Sequence, residues 1–140
     1  YKFKIGKASI VKQGSDVVVF ATGGLVQESL IASDILQQES ISTTIVNIST
    51  LKPLDETLII NETKRHNAVI VAEDHNVIGG LNDAVCRTLT KHQISVPFKS
   101  IAVRDQFAET GSGPELYEKY GLSANHVIKA IKDLLTLKKV

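Results

Sequence analysis

Apolar positions along this chain come in two rhythms. Short runs rich in β-branched residues, Asp16–Thr22, Ser42–Ile48, Ala68–Ala72 and Pro97–Val103, have the length and composition of buried strands. Between them lie longer segments with apolar residues every three to four positions. Leu25–Gln38 places them at 25/26, 30/31 and 35/36, which predicts a helix with an imperfect face closing near Glu39. Pro53 keeps Lys52 out of helical geometry, and Asp55 is positioned to cap a helix running to about His66. A further helix is expected from Gly80 to about His92. The last, capped by Ser123, carries Val127, Ile128, Ile131, Leu134 and Leu135 on one face.

Ser112-Gly-Pro-Glu115 has the capping-box form, which predicts a short helix ending at Gly121 in a left-handed cap, with Leu122 packing back. Phe3–Val11 reads as two short strands around Gly6-Lys7, a hairpin or edge element. Strands alternating with helices imply a parallel sheet. With no internal repeat and no low-complexity segment, residues 1–140 are expected to form a single domain.

Composition narrows the function classes. The chain is 43% hydrophobic and 22% charged, an ordinary globular balance. Sixteen Lys and Arg against fifteen Asp and Glu leave a net charge of +1, and the basic residues are scattered, which argues against nucleic acid or an anionic membrane as partner. The longest apolar run, Val17–Ala21, falls far short of a bilayer. The chain contains no Met, even at position 1, so it is expected to be a piece of a longer polypeptide.

Candidate chemistry concentrates in Ala68–Leu89. The strand there runs into Glu73-Asp74-His75, read as an acid–acid–His turn, and Gly79-Gly80 turns the chain into a helix whose free N–H groups point back at it. In open α/β sheets this edge is where ligands and partners are met. A carboxylate beside His75 would suit a proton carrier. Equally, the acids would cap the helix and His75 would serve an interface. Elsewhere the signals are weak. Thr22-Gly23-Gly24 follows a strand but lacks the GxGxxG spacing, and neither GxxxxGK[ST] nor GxSxG occurs. Lone Cys86 reads as a buried, inert thiol. The four histidines have no metal spacing; His66 and His92 close helices, and His126 is expected to face solvent.

Four stretches in order, DVVVFATGG (Asp16–Gly24), VNISTLKPLDE (Val46–Glu56), VAEDHNVIGGLNDAV (Val71–Val85) and FAETGSGPELYEKYGL (Phe107–Leu122), resemble the C-terminal domain of transketolase. The resemblance runs from Ile5 to Leu135. Asp74 stands where a second Glu is common, and Asn82-Asp83 where small residues are often seen. Deoxyxylulose-phosphate synthase and the β subunits of 2-oxo-acid dehydrogenases resemble the chain as well; Glu109–Ser112 followed by Glu118–Leu122 looks more like transketolase, including its two-subunit forms.

The resemblance implies a three-layer α/β/α sandwich with a five-stranded, mostly parallel sheet and one antiparallel strand. It implies that thiamine diphosphate and a divalent metal are held by the preceding domains, so that this domain holds no cofactor, no metal and no catalytic residue. The expected role is to support the assembly of a ketol-transferring, cytoplasmic homodimer of the pentose phosphate pathway, together with its N-terminal and middle domains or subunit. Taken alone, the domain is expected to be inactive. Glu73, Asp74, His75, Gly79 and Gly80 are then expected to form an interface turn. The rival from another class is a free-standing module using Gly23-Gly24 and Gly79-Gly80 as an anion cradle.

Overall fold

The computed structural model describes residues 3–137. Its strands are β1 (Ser9–Lys12), β2 (Val17–Ala21), β3 (Thr43–Asn47), β4 (Ala68–Asn76) and β5 (Phe98–Val103). Its helices are α1 (Leu25–Gln38), α2 (Glu56–Arg65), α3 (Leu81–Lys91), α4 (Gly113–Lys119) and α5 (Ala124–Leu137). The strands form one sheet in the order β1-β3-β2-β4-β5. β2 pairs parallel with both β3 and β4, β5 joins β4 in parallel, and only β1 is antiparallel, against β3.

Period-two alternation splits the strand side chains into two cores. Val17, Val19, Ala21, Ile45, Ile70 and Ala72 face α1 and α5. Val18, Phe20, Val46, Ile48, Val69 and Val71 face the layer of α2 and α3. Both faces are thus covered, which is why β2 and the first five residues of β4 are apolar throughout. This is the expected sandwich, with the expected single antiparallel strand.

Several local expectations need correction. The N-terminal segment is the edge element of the two alternatives and not a hairpin: residues 3–8 contain a turn with Gly6 at φ +76, and Ser9–Lys12 is an edge strand on β3. The buried face of α1 is Leu25, Ser29, Ala32, Ser33 and Leu36, while Ile31 and Ile35 are each 40% exposed. Serine works there because Ser29 Oγ donates to the Leu25 carbonyl at 2.6 Å and Thr43 Oγ1 donates to Ser33 Oγ at 2.6 Å, so no polar group is stranded. The Ser112 capping box does not close: Ser112 Oγ donates to Glu115 Oε2 at 2.6 Å and caps no backbone N–H. Ser123 likewise turns its hydroxyl to His126 Nδ1 (2.8 Å), and the α5 N-terminus is capped from α1, where Glu28 accepts the Ala124 N–H at 2.7 Å.

Other expectations hold. Asp55 caps α2 through the Leu58 N–H. After α4, Gly121 sits at φ +75, the Leu122 N–H reaches the Tyr117 carbonyl and the Gly121 N–H reaches that of Glu118, the paired bonds of a Schellman cap.

Candidate functional site

Because β2, β3, β4 and β5 are parallel, the loops that follow them meet at one edge of the sheet. β4 does not stop at Ala72 as the sequence suggests. It continues to Asn76, but against β5 the register slips: Ala72 pairs with Ile101 and Asn76 with Val103, leaving extra residues on β4 in between. Glu73, Asp74 and His75 form this bulge. They are therefore the irregular end of a strand rather than a free turn.

Alternation along β4 sends the two acids to opposite faces. Glu73, 1% exposed, lies on the α3 side. Its carboxylate accepts the Leu81 N–H at Oε2 (2.6 Å) and the Asn82 N–H at Oε1 (2.9 Å), satisfying two orphan donors and opposing the helix dipole. Gly80 makes this contact possible: a Cβ there would lie 2.1 Å from Glu73 Oε2 and 2.8 Å from His75 Nδ1. Asp83 closes the arrangement by accepting the Gly79 N–H at 2.7 Å.

Asp74 turns the other way and accepts the Tyr117 hydroxyl of α4 at 2.8 Å. Tyr117 in turn covers Gly24 so closely that a Cβ would meet its hydroxyl at 2.2 Å. Burial, then the hydrogen bond to Asp74, pushes the Tyr117 phenol up to about 12. His75 is exposed; its Nδ1 lies 2.7 Å from the Asn76 carbonyl and 3.9 Å from Glu73 Oε2.

Of the expected interface residues, Glu73 and Gly80 are therefore buried within the domain, and Asp74, His75 and Gly79 remain on the surface. The proton-carrier arrangement does not form, because Glu73 is committed to α3 and does not hydrogen-bond His75. The anion cradle is likewise filled, by Glu73 at Gly79-Gly80 and by Tyr117 at Gly24. A thiamine diphosphate with its metal does not fit at the start of α3, where the Leu81 and Asn82 N–H groups are already taken by the Glu73 carboxylate. Among the described residues no three His, Cys, Asp or Glu side chains converge as a metal site.

Sequence reasoning missed the apolar tips of this edge. Leu51, after β3, Ile78, after β4, and Phe107, after β5, are 39%, 62% and 103% exposed. An open cavity of about 530 Å³ lies where Leu51 and Lys52 approach Gly79 and Asp83. Isolated apolar residues in loops carry no periodicity, so only the parallel sheet, which brings the loops together, reveals them.

The remaining candidates have structural roles. His66, expected only to complement a helix end, is a buried tie whose Nε2 lies 2.8 Å from Thr44 Oγ1 and 3.2 Å from the Gly14 carbonyl, and whose Nδ1 lies 2.6 Å from the Glu62 carbonyl. His126 is half-buried rather than solvent-facing. Cys86 is half-buried, not buried as its sequence context suggested; desolvation, with the charge of Asp83, pushes its thiol up.

Compared with known proteins, residues 6–127 match the family described as transketolase, C-terminal domain. The chain belongs to that family. A solved split-gene transketolase, described as an inactive β4 tetramer, superimposes on this transketolase C-terminal domain with a TM-score of 0.90 and 37% identity, covering 99% of this chain and 45% of that one. The 6-deoxy-6-sulfo-D-fructose transketolase subunit SqwH of Clostridium sp. (strain MSTE9) is 37% identical over 95% of this chain and 41% of its own. The 1-deoxy-D-xylulose-5-phosphate synthase of Syntrophotalea carbinolica is also 37% identical, over 94% of this chain and 21% of its own. The chain thus spans less than half the length of these relatives. Among the described residues, no helix is long and apolar enough to cross a membrane.

Proposed function

We propose that this chain, as a single domain, is the organising third domain of a transketolase-type enzyme. The assembled enzyme moves a two-carbon ketol unit between sugar phosphates, in the manner of the pentose phosphate pathway and in the cytoplasm. Thiamine diphosphate and a divalent metal are held by the N-terminal and middle domains or subunit, and the whole works as a homodimer. One observation carries this reading. At the edge where an α/β enzyme places its chemistry, Glu73 and Asp74 are engaged inside the domain, while Leu51, Ile78 and Phe107 stand exposed. An edge of that kind suits docking better than catalysis. Asp74, His75 and Gly79, with the three apolar tips, are the proposed contact surface.

Calorimetry tests the cofactor half of the proposal. Thiamine diphosphate with magnesium should give no saturable heat with this chain alone, and turnover of sugar phosphates should appear only in the complete enzyme. Micromolar binding to the isolated chain would overturn it. The similarity to 1-deoxy-D-xylulose-5-phosphate synthase supports a second reading, the same supporting domain in that enzyme. Which of the two reactions the complete enzyme carries out separates them.

A further inference from the structure

The outer flank of β5, together with the start of the loop that follows it, carries a second feature. β5 is the last strand, and beyond it a cavity of about 480 Å³ opens between the strand, the end of α4 and the first turns of α5. That volume lies within the ordinary range for small-molecule sites. Its rim collects Lys99, Arg104, Lys119 and Lys129, with Tyr120 and His126 between them.

The charges are only partly compensated. Asp133 is shared between Lys99 (2.8 Å) and Lys129 (2.9 Å), and these two ammonium groups hold its carboxyl below the usual range. Lys119 pairs with Glu109. Arg104 donates to the Ser100 carbonyl at 3.3 Å and has no carboxylate partner among the described residues. The neighbouring Asp105 is turned to Asn76 Nδ2 at 3.0 Å. Four cations against the two carboxylates that pair with them leave two of the rim cations without a carboxylate of their own.

Neutral donors are in place too. The Tyr120 hydroxyl accepts the Glu109 N–H at 3.0 Å, which leaves its own proton to donate. His126 is held through Nδ1 by Ser123 at 2.8 Å, and its Nε2 makes no hydrogen bond among the described residues.

We infer that this cavity binds a small phosphate monoester. A monoester carries roughly two negative charges near neutral pH, enough to pair with the two rim cations that lack a carboxylate of their own. Arg104 supplies a planar fork for two phosphate oxygens, and Lys99 and Lys129 supply point charges alongside it. The remaining volume takes the organic body against Ala130 and the Tyr120 ring. This site shares the loop after β5 with the docking edge but none of its proposed contact residues.

The test is a titration of the ¹⁵N-labelled chain at low ionic strength, followed by amide shifts. The probes are inorganic phosphate and glycerol 3-phosphate, with sodium chloride at matched ionic strength as the control. Saturable shifts are expected at Gly121, His126 and Lys129, with glycerol 3-phosphate binding more tightly than inorganic phosphate. Arg104→Gln, at an exposed position that should not disturb folding, is expected to weaken binding about tenfold, and Lys64→Gln on α2 to leave it unchanged. Shifts that sodium chloride reproduces, or that survive Arg104→Gln, would overturn the site. Equal or tighter binding of inorganic phosphate would overturn the monoester as its ligand. Loss of β5 signals with rising protein concentration would point instead to a second copy pairing along that strand.

Discussion

Two backbone N–H groups at the start of α3 depend on the buried carboxylate of Glu73. Glu73→Ala would leave both donors unpaired and is expected to destabilise the chain by about 2–4 kcal/mol, measured by urea unfolding. Glu73→Gln keeps one acceptor and should cost less; equal losses would show that the site responds to volume rather than to the cap. Tyr117 offers a separate test through pH. Its phenol is raised in the folded chain, so the stability it contributes is present below the ordinary tyrosine value near 10 and is lost as pH rises through about 12. The tyrosinate absorbance that develops near pH 12 should vanish in Tyr117→Phe. Asp74→Asn should bring it to lower pH, since a carboxylate next to the hydroxyl opposes ionisation. Such roles are half legible from composition: acids before a helix invite a capping role, but that Glu73 caps α3 while Asp74 holds Tyr117 follows from strand alternation in a bulge.

Among the elements, α4 stands apart. It buries no residue, and its half-buried Leu116 and Tyr117, with Tyr120 at its C-cap, attach it to the rest. Hydrogen exchange is therefore expected to be much faster across α4 than across β2, every residue of which is buried; comparable protection would contradict this. Gly121→Ala, forcing a side chain into φ +75, should cost about 1 kcal/mol and further loosen α4. The α4 boundaries were legible because Pro114 and Gly121 act locally. The buried face of α1 was not, because Ser29 and Ser33 look polar until Leu25 and Thr43 are seen to satisfy them. Likewise the end of β4 was misplaced, since a bulge is defined by its partner strand and not by the residues within it.

For the whole molecule, the proposed docking edge makes a clean separation between stability and assembly. Phe107 is fully exposed, so Phe107→Ser should leave the unfolding midpoint of this chain within about 0.5 kcal/mol of unchanged stability. The same substitution, combined with Ile78→Ser, is expected to weaken association in the complete enzyme, read by analytical ultracentrifugation. Unaltered association would remove these residues from the interface.

By itself, the sequence determined the layering: continuous apolar strands alternating with amphipathic helices can bury their side chains only as a sheet covered on both faces. It also determined most helix ends, where Asp55, Pro114 and Gly121 act on their own backbone. Only the tertiary structure decided what the charged groups do. Glu28 reaches α5 across 96 residues, Glu73 turns inward, and Lys99, Arg104, Lys119 and Lys129 gather from three segments around one cavity. A carboxylate or ammonium group acts through whatever lies within a few ångströms of it, and that neighbourhood is set by packing between distant segments rather than by adjacent residues.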